Sequence, residues 1–279
     1  MRSTTPFRVC AERASSTAFT LIELLVVISV LTVLVALSLP ALQRARKQAQ
    51  AVRCQANLRH AGLIFSLYAQ EHGGLLSAPP WTFWLRAEQP QFKEYPKLVT
   101  CPSASPPVRG EQVPWGGTFS PYSWPGTYND YDFGHFPIAG VRRNYGSYGQ
   151  NRWTWGWWWE RDLPPVSLQV YWGVCDVKGA FRVPVLLDST WPLVGPMGET
   201  GPPQCEGHLR DDYMSQVCIN RHHGGINALF LDWSVRRAGL KELWTLKWHR
   251  KYDTANCWTK AGGVQAEDWP EWMRRFKDY

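Results

Sequence analysis

No Cys-x-x-Cys pair occurs anywhere in the 279 residues, which argues against a structural zinc knuckle. Lysine and arginine are scattered, and no nucleic-acid motif is present. The net charge of +7 and pI near 9.1 therefore do not describe a nucleic-acid binder, and no nucleic acid is expected as a partner. Long apolar runs are almost absent too. One exists, from Phe19 to Leu39, and the mean hydropathy of the chain is negative, which excludes a multi-span membrane protein. Within that run charge is missing, with Glu23 as its only ionisable group. What the chain has in excess is tryptophan, at 17 residues. A polar, aromatic-rich body thus follows one apolar helix, in a chain long enough for one or two domains with a real core.

As a helix, Phe19 to Leu39 would span about 31 Å, the thickness of a hydrocarbon layer. An acidic residue at the centre of such a helix costs roughly 2.5–3.5 kcal/mol, and less near its end, so a carboxylate there reads as functional. Glu23 also falls in the first helical turn, where the macrodipole favours negative charge. A secretory signal is cut after its apolar stretch. Here a polar segment with Arg2, Arg8 and Arg13 precedes it.

Phe19-Thr20-Leu21-Ile22-Glu23, followed by leucine and valine, closely resembles the processing site of type IV prepilins and type II secretion pseudopilins. The resemblance implies that residues 1–18 are a leader and that a prepilin peptidase cuts between Ala18 and Phe19. It implies further that the new amine of Phe19 is methylated and that the apolar helix stays as the anchor. Ala18 stands where the family usually has glycine, and the basic residue usual near the cut is displaced to Arg13. Glu23 is then an assembly residue, pairing with the N-terminal ammonium of a neighbouring subunit. A carboxylate in a low-dielectric bundle needs such a cation. Pro40, which removes a backbone donor, matches a helix-kinking proline of the family. Arg44, Arg46, Lys47 and Arg53 offset the basic leader, so charge alone leaves orientation open. The resemblance places a single-pass protein in the bacterial inner membrane, with its head in the periplasm or on the cell surface.

Beyond Pro40, Leu42, Ala45, Ala49, Val52, Ala56 and Leu63 recur near helical spacing. This predicts an amphipathic continuation over residues 40–73, with a small-residue face for a sheet, ended by Gly73-Gly74. Leu63, Phe65, Leu67 and Tyr68 are expected in the core. Cleavage would remove Cys10 from the seven cysteines, leaving an even number, which suits an oxidising compartment. Cys54-Gln55-Ala56-Asn57-Leu58, Gly62 and Tyr68 resemble a group of planctomycete-type pilin-like proteins. In that group a helix cysteine accompanies a later Cys-Pro, here Cys101-Pro102, which implies a Cys54–Cys101 disulfide.

Residues 74–279 form the head. Tyr145 to Asn151 resembles a turn-and-strand element of the same group. Trp153, Trp155 and Trp157 would alternate on one face of a strand. Two readings of the tryptophans stand side by side: core packing, or an exposed platform for polysaccharide. Asn129-Asp130-Tyr131-Asp132 reads as a turn, because it lacks EF-hand spacing.

In Arg221 to Val235, His222 and Asp232 match the group's His-X9-Asp-Gly signature, with Trp233 in place of the glycine. Gly224-Gly225 predicts a turn and Asn227 to Leu231 a strand. Asp232 to Ser234 predicts a second turn, with the chain returning at Val235. Arg182 to Leu187, ending at Asp188, predicts a neighbouring strand. The histidines and aspartates invite a metallohydrolase, yet no third ligand has helical spacing and no nucleophile is marked out. His222 is expected instead to buttress a turn by bonding Asp232 or Asp188. Lys241 to Arg250 predicts an amphipathic helix, and Asp268 is a candidate N-cap of another.

These observations predict an α+β fold, a long N-terminal helix on a small antiparallel sheet in a loop-rich, tryptophan-rich head. The function expected is a non-enzymatic pilin-like subunit of a type II secretion or type IV pilus-like structure, without cofactor or metal. Its expected partners are prepilin peptidase, other pilin-like subunits and the inner membrane. A membrane-tethered polysaccharide-binding module is the alternative.

Overall fold

The computed structural model describes residues 20–74, 76, 98–104, 116–125, 143–154, 169–196, 200–207 and 214–279. The expectations for the leader, Ala18, Phe19, Asn129 to Asp132, Trp155 and Trp157 lie outside the described residues. Two compact units are present, residues 1–46 and 47–279.

Helix α1 runs from Leu21 to Glu71 and continues through Pro40. Its end is the expected one. Gly73 and Gly74 take φ of 63° and 82°, and Gly74 N–H bonds back to the Ala69 carbonyl at 2.6 Å, closing the last turn. Among the described residues, α1 alone is long and apolar enough to cross a membrane. Within its apolar part, the hydroxyls of Ser29, Thr32 and Ser38 bond to carbonyls three or four residues back, so they need no outside partner.

The face that α1 buries is not the one expected. Cys54, Leu58, Ala61, Phe65 and Ala69, at three- and four-residue spacing, are 0–2% exposed. Val52, Leu63 and Leu67 lie on the other side, and they, like Leu42, are each at least half exposed. The reason is close approach. A Cβ on Gly62 would meet Leu229 Cδ1 at 2.8 Å, so the sheet comes nearest at a glycine. Polar side chains on that face reach across too: Gln55 Nε2 donates to Asn227 Oδ1 at 3.1 Å, and Asn227 Nδ2 to the Ala51 carbonyl at 3.1 Å.

The head is α+β. Strands β1 (Tyr122–Pro125) and β2 (Arg143–Gly146) form an antiparallel pair. The main sheet contains β3 (Tyr148–Asn151), β4 (Pro184–Asp188), β5 (Leu193–Val194), β6 (Gly225–Phe230) and β7 (Val235–Gly239), in the order β5-β3-β4-β6-β7. It is antiparallel except for the short β3–β5 pair. Every residue of β4 and β6 is buried. Asn227 and Leu229 meet α1, while Ile226, Ala228 and Phe230 alternate to the other face and join the same core.

The expected helix over Lys241–Arg250 is instead a five-residue 3₁₀ helix, Lys241–Thr245, followed by irregular chain that begins extended at Leu246. From Trp244 onward burial alternates, with Trp244, Leu246 and Trp248 buried and Thr245 and Lys247 half-buried, a period of two rather than 3.6. Asp268 is likewise not the N-cap expected. It closes a capping box from the third position, its carboxylate accepting from Gln265 N–H at 2.7 Å, and Pro270 leads the short helix α2 (Glu271–Arg274). Trp269 packs edge-on against Trp244 at 5.3 Å and tilted against Trp258 at 5.6 Å. Beside it the buried Lys241 ammonium lies 4.8 Å from the Trp269 ring and pairs with Asp278 at 2.7 Å.

Candidate functional site

At the N-terminal end of α1, Thr20 and Glu23 form a reciprocal cap. The Glu23 carboxylate accepts from the Thr20 N–H at 2.9 Å and from the Thr20 hydroxyl at 2.6 Å, and Glu23 N–H faces the Thr20 Oγ1 at 3.3 Å. This is the Thr-x-x-Glu capping box, legible in the sequence as spacing. Around it Leu21, Ile22, Leu24 and Leu25 are more than half exposed.

In the head, chemistry gathers at one buried point. Cys54 comes from α1, Asp188 from the end of β4, and His222 from the turn before β6. Cys101 comes from a segment that α1 holds through Gln50 to the Pro102 carbonyl and Asn57 to the Thr100 carbonyl. One ligand atom from each of the four lies within 4.8 Å of the others, and all four residues are at most 4% exposed. His222 Nε2 is 3.1 Å from Asp188 Oδ2 and 3.4 Å from Cys101 Sγ. Cys54 Sγ is 3.6 Å from both Asp188 oxygens and accepts from the Tyr148 hydroxyl at 3.3 Å. Both cysteines are thiols.

Arg221 braces this cluster. Its guanidinium donates to the Thr118, Ser147, Gly117 and Ser189 carbonyls and to Asp188 Oδ1, at 2.7–3.1 Å. Five acceptors match the five N–H groups of an arginine, so the buried charge is fully bonded. Asn227 N–H supplies a further donor to Asp188 Oδ2 at 2.8 Å.

The electrostatics follow. Burial pushes the Asp188 carboxyl up, but the His222 hydrogen bond and the Arg221 charge outweigh it and hold it at about 2. Burial pushes His222 down, and its bonds to Asp188 and Cys101 overcome this and raise it to about 9. Burial would raise Cys101, yet the Cys54 hydrogen bond and His222 bring it down to about 7. Cys54, with burial dominant, lies well above the usual thiol range. Two thiols, an imidazole and a carboxylate so placed can bind a cation or form a disulfide.

Of the two carboxylates expected to meet His222, Asp188 does. Asp232 is elsewhere, bonding Ser234 N–H at 3.0 Å and its hydroxyl at 2.6 Å in the β6–β7 turn. Trp233 supplies the turn there despite its side chain, with φ of 65°, and its ring lies 6.5 Å from Phe65. Gly224 takes φ of 83°, and a Cβ on Gly225 would meet the Ala238 carbonyl at 2.4 Å, so both glycines of the signature are needed where they stand. The expectation of no metal rested on absent local spacing, a test blind to ligands drawn from four distant segments. Arg221 and Tyr148 were not singled out, since nothing in the sequence marks which arginine is buried.

Trp153 sits in a 3₁₀ turn (Arg152–Thr154) rather than the expected strand, packed on Tyr171 and His249. Trp153, Trp172, Trp244, Trp248 and Trp269 are buried, and no described tryptophan side chain is fully exposed. Trp191, Trp233, Trp258 and Trp272 are half-buried.

The family model of the prokaryotic N-terminal methylation motif matches residues 13–39. The chain therefore carries a prepilin-type methylation motif, the mark of an exported, type IV pilin-like N-terminus, on a helix able to anchor it in a membrane. Neither the curated proteins nor the solved structures provide a match.

Proposed function

We propose that this protein is a non-enzymatic pilin-like subunit that assembles through its N-terminal helix into a type II secretion or type IV pilus-like structure. The observation that carries the reading is the methylation motif over residues 13–39, coincident with an apolar helix whose sole charge is Glu23. In this reading prepilin peptidase cuts between Ala18 and Phe19, and Phe19 is methylated. The helix remains in the inner membrane, with the head outside the cytoplasm. Glu23 exchanges its Thr20 bonds for the N-terminal ammonium of a neighbour, and Pro40 is the point at which the helix yields on packing. The exposed Val52, Leu63 and Leu67, on the side of α1 away from the sheet, extend an apolar surface for other subunits into the head.

A non-catalytic role is supported by the burial of the Cys54–Cys101–Asp188–His222 cluster, where no substrate has access. Activity of the purified chain in a broad hydrolase screen would overturn that part. N-terminal sequencing and intact mass of the membrane-extracted protein test the rest. The expected mature terminus is N-methylated Phe19, and an unprocessed Met1 would overturn the reading.

A further inference from the structure

We propose that Cys54, Cys101, Asp188 and His222 form a closed, four-coordinate site for a zinc-class divalent cation that fastens α1 to the sheet. The inference stands on residues 47–279 alone and holds whether or not the chain assembles.

Three of the six ligand–ligand distances match the edges of a small tetrahedron, and the other three are within 4.8 Å. With zinc bonds of about 2.3 Å to sulfur and about 2.0–2.2 Å to nitrogen and oxygen, a tetrahedral site has edges near 3.4 Å for N–O and near 3.6 Å for S–N and S–O. The corresponding distances are 3.1 Å for His222–Asp188, 3.4 Å for Cys101–His222 and 3.6 Å for Cys54–Asp188. Each residue offers one ligand atom, and the donor set of two sulfurs, one nitrogen and one oxygen suits zinc rather than calcium or magnesium.

Charge and outer contacts agree. Two thiolates and a carboxylate around a dication leave one negative charge, and the buried Arg221 beside Asp188 Oδ1 neutralises it. The surrounding donors orient the ligands as second-shell groups do: Tyr148 hydroxyl on Cys54 Sγ, Arg221 and Asn227 N–H on the two Asp188 oxygens. Burial leaves no open coordination position, so the site is structural rather than hydrolytic. Binding releases the thiol protons and the Nε2 proton that His222 holds toward Asp188, and it joins segments far apart in sequence, so the cation's binding energy becomes folding energy of the head.

The test uses the full chain, extracted from membranes in detergent with thiols blocked against oxidation during denaturation only. Elemental mass spectrometry should find one equivalent of zinc per chain. Replacement by cobalt(II) should give the visible bands of a tetrahedral ion with sulfur-to-metal charge transfer. Cys54→Ser and Cys101→Ser should lose the metal, while Cys257→Ser, at an exposed position, should keep it. Chelation should lower the melting temperature. Should the two serine variants fail to fold, the cobalt spectrum of the unaltered chain decides, and one lacking sulfur charge transfer overturns the proposal. So do a Cys54–Cys101 disulfide in the isolated chain, reduced thiols that take up neither zinc nor cobalt, or zinc retained in Cys101→Ser.

Discussion

The two halves of α1 are one continuous helix built by different rules. From Leu21 to Arg46 it is specified locally: Thr20 and Glu23 cap each other, hydroxyls bond within their own turns, and the apolar side chains are exposed. From Lys47 to Glu71 its partners are remote. Gln50, Cys54, Gln55 and Asn57 bond to residues 43–172 positions away, and Leu58 and Phe65 are fully buried. Burial of each such side chain contributes about 1.5–3 kcal/mol. A helix can thus be a finished element in one half and a component of a core in the other, and mutations in the two halves should have separable effects.

The sharpest separation is expected at Glu23. Glu23→Ala should abolish filament or pseudopilus formation, scored by shearing and electron microscopy, while the denaturation midpoint of the head stays unchanged. A shift of that midpoint would dissolve the distinction. Arg221→Ala, in contrast, should destabilise the head by about 3–5 kcal/mol, because it removes the buried cation beside Asp188 Oδ1 and deprives four carbonyls of a donor. Membrane insertion and leader removal should be untouched, as pulse-labelling of the processed form would reveal.

Gly62→Leu probes the packed face itself. Its side chain must displace Leu229, and a cost of about 1–3 kcal/mol is expected in urea unfolding. Leu63→Ala, one residue further on the exposed side, should fall within about 0.5 kcal/mol of the unaltered chain. Equal effects from the pair would show that both faces are covered in the isolated head.

A further effect expected is a pH slope. Burial first, then Lys247, hold His249 down at about 4 against an ordinary 6.5; its ring packs on Trp153 and Tyr252, and its Nδ1 has no hydrogen-bond partner among the described residues. The unfolded chain takes up this proton first. The contribution of His249 is therefore complete above pH 6.5 and is lost as pH falls toward 4. His249→Gln should flatten the stability profile in that window, measured by thermal melts across pH.

Much of this molecule could be read from short-range pattern. The end of α1 at Gly73-Gly74, β4 ending at Asp188 and the β6–β7 hairpin follow from turn residues and alternation, whereas the partner of His222 was left open between Asp232 and Asp188. The buried face of α1 could not, since two apolar stripes share that helix and only Leu229 opposite Gly62 selects between them. The cluster was legible only as separate pairs, Cys54 with Cys101 by resemblance and His222 with Asp232 or Asp188: its members lie at 54, 101, 188 and 222, and nothing local joins the pairs into one site. The period of Trp244 to Trp248 was misread because a five-residue window fits a helix turn and an extended stretch alike.

The Thr20–Glu23 cap has a bearing on timing. A lone carboxylate at a membrane edge would attract any passing cation, lipid-borne or aqueous. Here it is already occupied by its own chain, through two donors that cost no partner and travel with the helix. In the proposed assembly, the chain would therefore wait in a quiescent, self-satisfied form. A neighbour's terminus would have to offer a better contact than a hydroxyl and an amide together, and Glu23 would then act as a latch with a threshold rather than an open hook.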